Sequence, residues 1–116
     1  MDDDIVALHR QELRRGTLVV ACLIVLRRPG YGYGLLEQLA DRGVVADANT
    51  LYPLLRRLEK QGFLRSEWDT AESRPRKFYR TSTDGERLLA LLLQDWRDLD
   101  RALTDLAAPA ADPQEE

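Results

Sequence analysis

Four arrangements of apolar and polar positions follow one another along the chain, and each predicts a different element. From Leu18 to Leu26 every residue is apolar, which predicts a helix buried on all sides, against its own domain and a second subunit. Ahead of it, Asp2 to Asp4 put negative charge where a helix begins, Ile5 and Leu8 open the pattern, and Gly16 marks a pause. Arg27, Arg28, Pro29 and Gly30 close the segment. A short second helix then runs from about Gly32 to Arg42, with Leu35, Leu36 and Leu39 inward and Gly43 as its cap.

The third pattern is the most regular. Leu51, Leu54, Leu55 and Leu58 have the i, i+3, i+4, i+7 spacing of one helix face. The opposite face collects Asn49, Tyr52, Pro53, Arg56 and Lys60, with Arg57 at its edge: amide, phenol and cationic heads that can reach base edges and phosphates. Either Asp47 or Asn49 caps this helix, Pro53 bends it or loosens its start, and Gly62 ends it. Two extended runs, FLRSEWD and RKFYRTS, follow around the polar TAESRP and predict a β-hairpin. Alternation puts Leu64, Ser66 and Trp68 on one face, with Trp68 as core packing under the hairpin. Arg74, Arg76 and Lys77 cluster at its tip, where they meet DNA phosphates or the minor groove unless they form a merely solvated loop.

In the last pattern Leu89, Leu92, Trp96, Leu99, Leu103 and Leu106 recur at alternating spacings of three and four, a short heptad seam suited to pairing with a symmetry mate. Leu88 and Leu91 form a second strip that binds this helix back to its own domain. The sequence therefore predicts a mainly α protein with a small β-hairpin. A winged helix-turn-helix spans 1–81, a C-terminal dimerisation helix spans 82–107, and a disordered tail covers 108–116.

Composition sharpens this picture at three points. The net charge of −3 argues against a nucleic-acid binder only until it is located. Residues 49–80 hold eight Lys/Arg against four acids, whereas the chain from Ser82 onward holds three Arg against nine acids. The predicted DNA-facing segment is thus basic and the tail acidic. The lone Cys22 sits in the apolar run, which excludes an intrachain disulfide and suits a reducing, cytoplasmic setting. That run is too short to cross a bilayer, and the acidic start is unlike a secretion signal.

Candidate chemistry is sparse. One histidine, His9, and one cysteine make neither a nucleophile and base pair nor a metal set, so the sequence predicts no enzyme, no metal and no cofactor. The run Gly30, Gly32, Gly34 lacks a following Gly-Lys-Ser/Thr, and its expected role is a tight entry that sets Tyr31 or Tyr33 near a phosphate. A protein-interaction adaptor that never touches DNA is the rival reading, and it leaves the basic third helix and hairpin tip without a purpose.

The strings GTL, YGYGLLEQL, TLYPLLRRLEKQGFL and RKFYR, together with the tryptophan of the last helix, resemble the PadR family of bacterial transcriptional regulators over roughly residues 13 to 106. The resemblance implies a homodimeric repressor on a pseudo-palindromic double-stranded DNA operator. It assigns DNA reading to the helix holding Thr50, Leu51, Tyr52, Pro53, Arg56 and Arg57, with support from Arg76 and Lys77. It also implies phenolic acids or flat, greasy, often cationic aromatic compounds as effectors, held as in some short members between paired tryptophans at the position of Trp96. From the residues themselves, Asp95, Asp98 or Asp100 is available to attract a cation at the rim of such a slot; in the alternative, the two indoles simply glue the dimer. Gly34, Asn49 and the pair Thr81-Ser82 depart from the family pattern, the last at the expense of a packing contact.

Overall fold

The computed structural model describes residues 1–71 and 73–110. Helix α1 spans Asp3–Val25, strand β1 Gly30–Tyr31, α2 Gly32–Asp41, α3 Ala48–Lys60, β2 Leu64–Asp69, β3 Arg76–Thr81 and α4 Thr83–Ala107. The disordered tail expected over 108–116 falls for its last six positions, 111–116, outside the described residues.

Asp2 caps α1 by accepting from the N–H groups of Asp4 at 2.9 Å and Ile5 at 3.3 Å, as a carboxylate at a helix start should. The helix does not pause at Gly16 but runs through it, because one glycine costs about 1 kcal/mol, less than flanking turns of good helix formers return. Nor is 18–26 buried all round. Leu18, Cys22, Leu23 and Leu26 are in the core, Val19, Val20, Ala21 and Val25 are partly covered, and Ile24 is exposed.

The core joins that face of α1 to Leu35 and Leu39 of α2, to the four leucines of α3, and to Leu64, Tyr79 and Leu89. Strand order is β1-β3-β2, antiparallel throughout, with Gly30 opposite Tyr79, and Ser66 opposite Tyr79 on the other side. The two-residue β1 is too short to carry an alternation, so the sequence pattern missed it.

The turn from α3 into the hairpin needs Gly62, whose φ is +86°, a conformation costly for residues with a Cβ. From there α4 docks closely. A Cβ on Gly85 would lie 2.1 Å from the Phe63 carbonyl oxygen, so only glycine lets the first turn of α4 pass this corner. Thr81 and Ser82 do more than pack. The Thr81 hydroxyl donates to the Leu23 carbonyl at 2.8 Å, while Ser82 donates to Gly62 O at 2.6 Å and accepts from Gly85 N at 3.0 Å as the cap of α4. The expected loss of packing is replaced by hydrogen bonds that tie α1, α3 and α4 together.

Beyond this junction α4 leaves the domain. Leu89 is fully buried in its own domain and Leu92 packs partly against it, so the beginning of the expected seam is spent inside one chain. Leu88 is partly buried there too, but Leu91, expected to bind the helix back, is exposed, because it points away from the Leu88, Leu89 and Leu92 side. Among the described residues, no helix is long and apolar enough to cross a membrane.

Candidate nucleic-acid interface

Helix α3 owes its orientation to its two unequal faces. Leu51, Leu54, Leu55 and Leu58 are buried, which turns Asn49, Thr50, Pro53, Arg56, Arg57 and Lys60 to solvent. The cap left open by the sequence is Asp47, which accepts from Thr50 N at 2.8 Å. Asn49 is therefore released from capping and exposed inside the first turn. The helix continues through Pro53 without a break. Tyr52 lies partly buried, its ring close to Gly32 at the start of α2, which also lies against the Tyr79 ring.

The hairpin is locked to α3 through one carboxylate. Glu59 accepts from the Ser66 hydroxyl of β2 and, at 3.0 Å, from Nζ of Lys77 on β3. Lys77 also lies 5.1 Å from the centre of the Tyr79 ring. The Ser66 hydrogen bond, followed by the Lys77 pairing, holds Glu59 below the ordinary carboxylate range, and the Glu59 hydrogen bond raises Lys77. The Lys77 charge is thereby engaged within the protein.

Arg76 is engaged as well. Its guanidinium stands 5.1 Å from the Tyr31 ring centre and 5.9 Å from that of Tyr33, and donates to the Tyr33 hydroxyl at 2.8 Å. Tyr31 stacks on Tyr33 at 5.5 Å and donates to Asp69 at 2.6 Å. That hydrogen bond raises the Tyr31 phenol and lowers the Asp69 carboxylate, which a backbone bond from Ala71 lowers further. The tyrosines at the entry of α2 thus buttress the hairpin, with Tyr33 still exposed. Arg74, between the two strands, is exposed.

Trp68 corrects the sequence reading. It shares the strand face of Leu64 and Ser66 but is 63% exposed, whereas Leu64 at the other end of the same face is buried in the core. Alternation assigns a face; it does not tell where the core below that face stops. An exposed indole opposite Lys77 on the hairpin is therefore a further candidate contact that periodicity alone assigned to the interior.

On α4, Trp96, Leu99 and Leu103 are 50%, 61% and 55% exposed, and Leu106 and Asp100 are exposed beside them. They form an apolar strip continuing the line of Leu89 and Leu92. Cys22 offers no chemistry: burial pushes its thiol up to about 12, so no thiolate is available near neutral pH.

Comparison with known proteins agrees with this geometry. Residues 22–91 match the family model described as the transcriptional regulator PadR-like family. A PadR family transcriptional regulator from Eggerthella lenta superposes with a TM-score of 0.87 and 51% identity, covering 93% of this chain and 96% of that one. A PadR-like transcription factor from Bacteroides fragilis gives a TM-score of 0.71 and 29% identity over 84% of this chain and 97% of its own. A transcriptional regulator of Mycobacterium tuberculosis is 37% identical over 70 residues, 60% of this chain and 63% of that protein.

Proposed function

Because the chain belongs to the PadR-like family of transcriptional regulators, we propose that it is a cytoplasmic homodimeric repressor, without catalytic activity, that lays α3 in the DNA major groove. The observation that carries this is the division of α3: its leucines are consumed by the core while Asn49, Thr50, Pro53, Arg56, Arg57 and Lys60 stand clear on one surface. Arg56 is the base-reading side chain, and Arg57 and Lys60 face phosphates. Tyr33 and Arg74 flank the groove from the entry of α2 and from the wing. Arg76, bonded to Tyr33, and Lys77, bonded to Glu59, hold the wing against α2 and α3, with the partly buried Tyr52 packed beside Gly32.

The exposed strip of α4 supports the dimer. Two copies joined along Trp96, Leu99, Leu103 and Leu106 would set two α3 helices on half-sites about 34 Å apart, one turn of the duplex. At the centre, paired Trp96 rings spaced by symmetry form an apolar slot for a planar aromatic effector, with Asp100 at its rim for a cationic group. Binding there shifts the spacing of the half-site readers and releases DNA.

The test is footprinting of the pure protein on the DNA upstream of its own gene, beside Arg56→Ala. The variant should lose about 1–3 kcal/mol of specific binding and relax base preference at one position per half-site. Unchanged binding by the variant points instead to a protein-interaction adaptor. For the effector, Trp68→Phe leaves Trp96 as the sole tryptophan, and saturable quenching of its emission by planar dyes and phenolic acids should vanish in Trp96→Ala while the dimer persists.

A further inference from the structure

The three-stranded sheet has two faces, and its attachment to α3 uses one of them. Ser66 and Lys77 turn to Glu59 of α3, while Leu64 and Tyr79 enter the core. Strand alternation sends Arg65, Glu67, Phe78 and Arg80 to the opposite face. There, together with Pro29 ahead of β1, they surround a hollow of about 80 Å³. That is far below the roughly 300–1,000 Å³ of small-molecule sites and suits a single anchoring side chain of a partner.

Arg65 and Arg80 are direct cross-strand partners. Like charges in that relation oppose strand pairing, and the fold gives neither guanidinium relief. Among the described residues neither has a carboxylate partner, and Glu67, one pair further along the strands, forms no ion pair with them. Arg28, adjacent in sequence to Pro29, adds a further exposed guanidinium. Between the charges the lining is apolar, supplied by Pro29 and the partly buried Phe78. A repulsive pair set around an apolar hollow costs the free protein stability and favours an anionic group brought in from outside.

We propose that this face docks an acidic, extended segment of another protein, with one glutamate or aspartate carboxylate set between Arg65 and Arg80 and a neighbouring apolar side chain laid on Phe78 and Pro29. Residues directly opposite on an antiparallel pair have Cβ atoms about 4.5–5.5 Å apart, close enough for one carboxylate to accept from both guanidinium groups. A polypeptide fits better than a nucleic-acid backbone, because the hollow has an apolar lining and Glu67 repels phosphates at its edge. Binding stands without the DNA reading; its consequence rests on it. Lying on the sheet face away from Glu59 and α3, the patch stays open while α3 occupies a groove, so a partner protein can join the regulator on its operator.

The experiment titrates the ¹⁵N-labelled full chain at low salt with a short peptide in which glutamate alternates with leucine, and with the same peptide carrying glutamine for glutamate. Saturable shifts at Arg65 to Glu67 and Phe78 to Arg80 are expected for the acidic peptide and not for its neutral counterpart. Arg65→Thr with Arg80→Thr should weaken binding about tenfold or more. By removing like charges that face each other, it should leave the thermal midpoint unchanged or higher. Arg80→Thr alone, a single change at an exposed position, should show the same two directions at smaller size. Equal response to the glutamine peptide, shifts confined to the exposed side of α3, or unchanged affinity in the variants would overturn the proposal. A lower thermal midpoint would assign the arginines to the fold itself, and a salt slope for random duplex DNA reduced by about 2 would make them phosphate contacts. A changed oligomeric state would make the face a contact with a second copy. Each of these three results likewise overturns it. Failure of the protein to bind DNA leaves the titration intact, so the two readings fail separately.

Discussion

Glu59 concentrates at one residue the coupling between the reading helix and the wing. Its carboxylate meets Ser66 and Lys77, and the Glu59 and Lys77 side chains retain 31% and 29% of their exposure, dry enough for the pairing to matter. A lowered folded-state value means that ionised Glu59 stabilises the fold above the ordinary glutamate value near 4.5 and that this contribution is lost as pH falls through the folded value. Lys77 is raised, so its share is complete below 10.5 and is lost only as pH rises through the folded value. Between those limits the pair is fully formed. Glu59→Gln should therefore cost about 1 kcal/mol near neutrality and flatten the acid limb, read as the change in urea midpoint between about pH 7 and about pH 3.5. Equal acid sensitivity in variant and wild type would show that other carboxylates govern that limb. Lys77→Ala should lower stability by a similar amount while changing the salt slope of DNA binding by much less than one phosphate contact's worth.

Among elements, the approach of α4 to the α3–β2 corner is the tightest junction. Gly85 faces the Phe63 carbonyl at a distance no Cβ can occupy, and Ser82 bridges Gly62 to the α4 N-terminus on the same side. Arg27 adds a bond from the end of α1 to Glu86 at 3.1 Å, though both groups are about half exposed and contribute little. Gly85→Ala should force α4 away from the corner and cost at least about 1–3 kcal/mol, measurable in thermal unfolding. Gly34→Ala, where an added Cβ meets nothing within 4 Å, should instead be neutral or slightly stabilising. A similar effect in both variants would mean that the corner does not set the requirement for glycine at 85.

At the scale of the molecule, the radius of gyration is 18.6 Å and the extents are 74 × 36 × 23 Å, against about 13 Å for a compact chain of this size. The excess comes from the two helix halves that project from the core: the start of α1, with Ile5, Leu8 and Leu13 exposed, and the end of α4, with Trp96, Leu99, Leu103 and Leu106 exposed. An isolated helix of this length is marginal in water, so burial against a second copy is the expected source of its order. Leu99→Glu should put a charge into that contact and convert a dimer to monomer or unfolded chain, with DNA affinity falling in parallel. Light scattering at micromolar concentration decides it, and a monomeric wild type would remove the dimer from the proposal.

The sequence by itself determined the longer elements and their order, though not the two-residue β1 or the unbroken run of α1 through Gly16, because amphipathic period, caps and turn residues are local: the leucine stripe of α3 with its exposed cationic side, Gly62 after it, the hairpin with its polar tip and the N-terminus of α4 are all legible within short windows. The family strings added the fold's identity. What only the tertiary structure decided were the places where an element outruns its support. Trp68 continues the face of Leu64 yet lies in solvent, and Leu89 continues the line of Trp96 yet lies in the core. A period states which side of an element is apolar, while burial depends on whether another element ends above or below that point. The same holds for charge: Arg76 and Lys77 look alike beside Arg74 in the sequence, but aromatic rings and Glu59, brought from residues far along the chain, have claimed the first two.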